Sequence, residues 1–173
     1  MSTLEIPLYR QRLMHALVTG PGDLKTRDML VASTPERKTT DAAAYDITAW
    51  LPNGPIELAP LTVVKVPTGL FSALPKGSAF LVCSRSGLAA RGVQVINAPG
   101  VIDSDYRAEI CVLLSYIAPP TSAPLKIEHG DRIAQLLYFP PQPSLSFVNV
   151  DFQKDLPPAE STRQGGFGST GLK

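Results

Sequence analysis

A chain of 173 residues, 44% hydrophobic and 18% charged, is long enough for one domain with a sizeable core. Its formal net charge of +1 provides no basic stripe for a nucleic-acid duplex and no field to hold it on an anionic membrane. Seventeen prolines, against roughly nine expected from average usage, block helix interiors and central ladders and predict a turn-rich chain of short strands.

The first stretch, "MSTLEIPLYRQRLMHALVTG", interrupts its apolar residues with arginines. It is neither a signal peptide nor a membrane span, so a soluble, intracellular protein is expected. Residues 1–40 carry little pattern: "LYRQRLMHAL" predicts a short helix stopped by "PGD", "DMLVAS" a first strand, and "TPERKTTD" a polar connection. From Tyr45 the texture changes. "YDITAWL", "LTVVKV", "AFLVCS", "VQVI", "EICVLLSYI" and "RIAQLLYF" are short runs rich in β-branched, aromatic and other apolar residues. Between them stand "PNGP", "PKGS", "APG", "APPTSAP", "EHGD" and "PPQP", each a turn by composition. Many short strands with no long helical period between them predict an all-β sandwich, jelly roll or barrel. Only "SGLAAR", from Ser86, reads as a helical turn in mid-chain. Residues 41–152 are therefore expected to form the β-domain, 1–40 an extension of unassigned role, and 153–173, which lose the strand texture, a mobile arm.

Cys83 and Cys111 both lie in apolar runs, which favours two buried free thiols over a disulfide. There is no CxxC or HExxH, and His15 and His129 stand alone, so no zinc site is expected. Trp50 and Phe80 read as core, and His129 as an exposed turn residue.

Three stretches carry candidate chemistry. In "NAPGVIDSDY" (97–106), Pro99-Gly100 predicts a hairpin, with proline at the first corner and glycine at positive φ in the second. Asp103 and Asp105, just beyond it, are either a solvated loop or a carboxylate fixed as general base toward a water. In "SRSGLAARG" (84–92), Arg85, Ser86 and Gly87 combine a guanidinium, a hydroxyl and backbone amides, either as anion ligands or as a plain turn and cap. In "RQGGFGSTGLK" (163–173), Arg163, Phe167, Ser169 and Thr170 sit among glycines. That end is either frayed or able to curl around a phosphate and stack a ring on a base. Gln135, a polar residue within "RIAQLL", either faces solvent or is kept for a specific contact.

In this order, these stretches resemble the five short motifs of the trimeric all-β dUTPases: "AAYDI" (43–47), "SRSGLA" (84–89), "NAPGVIDSDYRAEI" (97–110), "GDRIAQL" (130–136) and "GGFGSTG" (165–171). The resemblance implies a distorted jelly-roll protomer, a homotrimer with active sites shared between subunits, and hydrolysis of dUTP to dUMP and diphosphate with Mg²⁺. By position, Asp103 is implied as the base for the water that attacks the α-phosphorus. Asn97, Gly100 and the main chain of Val101, Ile102 and Asp103 are implied to read uracil, with the main chain near Cys111 closing the slot and Tyr106 packing under the deoxyribose. Arg85, Ser86, Gly87 and Gln135 are implied phosphate ligands. Asp46 is implied to support the metal's water shell without binding the ion, which the substrate phosphates mainly hold. Phe167 is implied to stack on uracil while Arg163, Gly168, Ser169 and Thr170 close on the γ-phosphate.

The chain departs from the family pattern at Ala44, Ser84 and Ala108, where glycine, proline and glycine are usual, and an alanine is tolerable there only at negative φ. The Arg163–Phe167 spacing is one residue short. The same fold also serves dCTP deaminases, which lack the "GFGSTG" arm and this "IDSDY" form. A non-catalytic nucleotide sensor or protein-binding module is the alternative from another class.

Overall fold

The turn punctuation cuts the chain into strands too short for any one of them to bury a face alone. The computed structural model describes residues 8–10 and 33–143, which lie in one compact unit, residues 1–142, except for Pro143. They form β1 (Leu8–Arg10), β2 (Ala44–Thr48), β3 (Ile56–Leu58), β4 (Val63–Pro67), β5 (Leu70–Ser72) and β6 (Ala79–Cys83). One helical turn, α1 (Ser86–Ala89), precedes β7 (Val93–Val95), β8 (Gly100–Asp103), β9 (Cys111–Tyr116), β10 (Leu125–Ile127) and β11 (Arg132–Phe139). The all-β expectation holds, and the helical turn falls where "SGLAAR" placed it.

Every ladder between the described strands is antiparallel. A four-stranded sheet runs β2-β11-β6-β8 and a three-stranded sheet β4-β9-β7, with the pairs β1-β5 and β10-β3 completing a jelly-roll-like set. Alternation decides which face is inside. In β6, Phe80 and Val82 point inward while Ala79, Leu81 and Cys83 lie on the outer face. Ile47, Leu58, Leu70, Ile110, Ile133 and Leu136 fill the core at 2% exposure or less, and full burial of such a side chain stabilises by about 1.5–3 kcal/mol. Trp50 and Phe80 are buried as expected, and the Phe80 ring meets Tyr138 edge-on with centroids 6.1 Å apart.

Three sequence expectations need correction. Leu8–Arg10 is a strand paired with β5, not the start of a helix, because Tyr9 finds a ladder partner in Phe71; the expected strand at 28–33 lies outside the described residues except for Ser33, which is not in a strand. The turn at Pro99-Gly100 is not a hairpin. β7 pairs with β9 and β8 with β6, so the turn is a corner between two sheets. Its Ala98–Pro99 bond is cis, and Gly100 does not take positive φ. Glycine is used there for space: a Cβ would meet the Asn97 amide nitrogen at 3.0 Å and Val82 Cβ at 3.6 Å.

Positive φ occurs instead at other described glycines, among them the one in the "ARG" turn before β7. Gly92 has φ +82, and a Cβ there would approach the Ile117 carbonyl oxygen to 2.5 Å. Among described non-glycine residues only Leu61 has positive φ, so the alanines at 44 and 108 and the serine at 84 stand without that strain.

Candidate active site

β11 is where the sheet is bent to make a site. Its register against β2 slips between Arg132 and Ala134, so Ile133 is an extra residue and both Ile133 and Ala134 point inward. Without such a bulge, residues three apart in a strand face opposite sides. With it, Arg132 and Gln135 line one cleft on the outer face of the four-stranded sheet.

Register then aligns a row across three strands: Asp46 of β2 opposite Gln135, and Gln135 opposite Cys83 of β6. Two residues beyond Cys83 the chain turns into α1, carrying Arg85 back over this row. Arg85 donates from Nε to Asp46 Oδ1 at 3.0 Å and from Nη2 to Oδ2 at 3.3 Å. Arg132 Nη1 donates to the same Oδ2 at 3.1 Å, and Arg85 Nη1 donates to the Arg132 carbonyl at 2.9 Å. The Asp46 side chain is only 14% exposed, against 21% for Arg85 and 46% for Arg132. Three charge-assisted bonds thus fix Asp46 and orient the Arg85 fork, leaving part of it to face the cleft. Gln135 Nε2 donates to the Ser84 carbonyl at 2.9 Å, and Ser84 Oγ accepts from Val95 N–H at 2.9 Å. Ser86 and Gly87, exposed at the start of α1, line the same space of about 560 Å³. Their amides precede the first intrahelical donor, Leu88 N–H, and so have no carbonyl one turn back to bond.

Asp103 lies elsewhere on that face. It ends β8 opposite Ala79, four residues from Cys83 along β6, or roughly 13 Å at strand rise. Its cleft, about 870 Å³, is lined by Asp103, Asp105, Lys76 and Arg107 with apolar Leu81, Val101 and Phe139, and shares no lining residue with the first. No hydrogen bond or ion pair engages the Asp103 carboxylate among the described residues.

The loop after Asp103 is strongly braced. Tyr106 Oη donates to the Glu109 carbonyl at 3.0 Å, Gly69 N–H donates to Glu109 Oε1 at 2.7 Å, and Arg107 Nη1 donates to the Ser104 carbonyl at 2.8 Å. Thr68 Oγ1 donates to the Ile110 carbonyl beside the start of β9. Cys111 is a half-buried free thiol there, pushed above its ordinary pKa by burial and then by the Glu109 carboxylate.

The structure therefore gathers Asp46, Cys83, Arg85, Ser86, Gly87 and Gln135 in one cleft. Asp103 and Val101 line the other, and Asn97 packs over Gly100 at the corner leading into β8. Arg163, Phe167, Gly168, Ser169 and Thr170 lie outside the described residues. Sequence reading missed Lys38 and Arg132 as lining residues of the cationic cleft. The doubled apolar pair Ile133-Ala134, breaking the alternation of "RIAQLL", was the available signal for the bulge that turns Arg132 toward Gln135. His129, exposed as expected, accepts from Leu51 N–H at its Nδ1, 3.0 Å away. Among the described residues no cluster of three or more His, Cys, Asp or Glu is placed to hold a metal ion, and no helix is long and apolar enough to cross a membrane.

Comparison with known proteins gives a consistent result. The family model described as dUTPase matches residues 31–171. The deoxyuridine 5'-triphosphate nucleotidohydrolase of Treponema pallidum subsp. pallidum is 42% identical over 143 residues, 82% of this chain and 92% of that protein. Two solved structures share the fold at lower identity. A mutant dUTPase of Staphylococcus bacteriophage 80alpha with dUpNHpp has a TM-score of 0.62 at 21% identity, covering 82% of this chain and 93% of that one. A mutant dUTPase from phage phi11 of S. aureus, described as revealing the coordination of a structural Mg(II) ion, has a TM-score of 0.60 at 22% identity, covering 71% and 92%.

Proposed function

The chain belongs to the dUTPase family, and on that premise we propose that it hydrolyses dUTP to dUMP and diphosphate at sites shared between copies of the chain in a homotrimer. The observation that carries this reading is the separation of the two clefts. A base must lie within hydrogen-bond reach of the attacking water, itself about 3 Å from the phosphorus. A grip on the neighbouring phosphates has to stand within a few ångströms of the same place. In one chain, Asp103 and the Arg85 cleft are too far apart for both tasks. A second copy presenting its Arg85 cleft to Asp103 satisfies both.

In this reading the Asp103 carboxylate takes a proton from the water as its oxygen bonds to the α-phosphorus. The bond from that phosphorus to the α–β bridging oxygen breaks, and diphosphate leaves. Arg85, Gln135 and the Ser86–Gly87 turn hold the phosphate chain and spread its charge. Uracil lies against the corner at Asn97 and Gly100 and the main chain from Val101 to Asp103, where mispaired backbone groups reject other bases. Tyr106, tied through its hydroxyl to Glu109, presents its ring to the sugar and excludes a 2′-hydroxyl.

Mg²⁺ fits as an ion carried in on the phosphates. Three of the roughly four lone-pair sites on the Asp46 carboxylate already accept guanidinium bonds, which would leave room for a hydrogen bond from a water on the ion but not for the ion itself. When bound, the ion neutralises phosphate charge. Residues 163–173 are proposed to close over base and γ-phosphate, with Phe167 on uracil.

The test is product identity. Release of diphosphate from dUTP is expected, and ammonia from dCTP would replace this reading with a deaminase. A wild-type chain inert toward dUTP with Mg²⁺ would leave the non-catalytic sensor. Deleting residues 163–173 should lower turnover more than it lowers the thermal stability of the assembly.

A further inference from the structure

The segment ahead of β2 is tied to it: Glu36 N–H donates to the Asp46 carbonyl at 3.2 Å and Asp46 N–H to the Glu36 carbonyl at 2.8 Å. This isolated bridge covers the open edge of β2 and sets the backbone two residues later beside the cationic cleft, where Lys38 is one of the lining residues. The cleft thus carries three cations, Lys38, Arg85 and Arg132, against one carboxylate, Asp46. That carboxylate is already taken by the two arginines. Among the described residues Lys38 is held by Glu36 alone, Nζ to Oε2 at 3.0 Å, with side chains 50% and 66% exposed. An ion pair so exposed contributes little, so breaking it costs little. The ammonium rides on a long flexible stem and presents three donors.

We propose that Lys38 is a further phosphate-binding residue of this site, exchanging Glu36 for the polyphosphate chain when substrate enters, with Glu36 its counter-ion in the empty state. The inference rests on the reading of this cleft as the phosphate grip. It gives residues 33–41, which lie outside all five sequence motifs, a part in substrate binding. Of the lining cations Lys38 alone is free of the Asp46 network, so it can move without loosening Arg85.

The test is a double-mutant cycle on the full chain. Lys38→Met is expected to raise KM for dUTP about three- to tenfold with kcat nearly unchanged, as loss of a charge-assisted contact made equally in ground and transition states. Inhibition by dUMP, which lacks the longer chain, should hardly change. Glu36→Gln should lower KM, and that gain should vanish in the Lys38→Met background, since coupled residues are not additive. Equal KM values in wild type and Lys38→Met, or a Glu36→Gln gain that persists without Lys38, would overturn the proposal. Titration with inorganic tripolyphosphate separates this inference from the reading beneath it. If dUTP is not hydrolysed but tripolyphosphate binds and Lys38→Met weakens it, the role of Lys38 stands while the proposed reaction falls. Equal tripolyphosphate binding by both proteins removes Lys38 from the site.

Discussion

Two carboxylates on the outer face of one sheet are placed in opposite ways. Asp46 is mostly buried, and both its oxygens are held by guanidinium donors of Arg85 and Arg132. Asp103, at the end of the edge strand β8, is exposed, and no cation engages its carboxylate among the described residues. The Asp46 carboxylate is committed to ordering the two guanidinium groups. A carboxylate free of such partners, on a strand end whose following loop is braced through Tyr106, Arg107 and Glu109, is positioned yet open to a water. The same residue type thus organises cations at one site and is left unengaged by any described cation at the other.

Mutation should separate the two. Asp103→Asn is expected to lower kcat by about 10²–10⁴-fold, the range for removing a general base, with the melting temperature unchanged because the side chain is exposed. Asp46→Asn should cost both activity and stability. Loss of the charge that orders two arginines is expected to reduce kcat/KM by about tenfold or more and to destabilise by about 1–3 kcal/mol, toward the lower end because Arg132 is half exposed. Equal effects of the two substitutions on melting temperature would erase the distinction.

A chemical probe addresses the braced loop. In a Cys83→Ser chain, the remaining thiol of Cys111 should react with iodoacetamide at pH 8 more slowly than a free thiol, since burial and Glu109 raise its pKa and so lower its thiolate fraction. Glu109→Gln should speed the reaction by lowering that pKa and by replacing the charge-assisted bond from Gly69 N–H with a weaker neutral one. A Cys111 that reacts like a small thiol would mean the loop is not held as described. The smallest effect on activity is expected at Leu61, 64% exposed with φ 59 and lining neither cleft. Leu61→Gly should raise stability by about 0.5–1 kcal/mol by relieving the left-handed backbone, leaving kcat and KM unchanged.

The sequence showed these regions unevenly. "AFLVCS" alternates cleanly and reads as the half-buried strand it is, whereas "IEL", "LFS" and "LKI", three residues each, are too short to display a period and were missed. Pro99-Gly100 correctly signals a turn. A dipeptide cannot say which strands its flanks will pair with, and here they join different sheets. The residues of the cationic cleft are individually visible, but Asp46 lies 39 positions from Arg85 and 86 from Arg132. No local rule connects them; only the β2–β11 register and the bulge at Ile133 do. Asp103 could be singled out because a short, distinctive stretch carries it, while the distance between its cleft and Arg85 could be read only from the folded chain.

That distance makes the central claim directly testable by co-expressing two separately tagged, inactive chains, Asp103→Asn and Arg85→Ala, and measuring diphosphate release from dUTP by the doubly tagged assemblies. If each site takes Asp103 from one copy and Arg85 from the next around a closed ring, every mixed trimer holds one intact pair, about a third of its sites. Activity should return to roughly that fraction of wild type. Mixed assemblies as inert as either parent would contradict the account and place the whole reaction within a single chain.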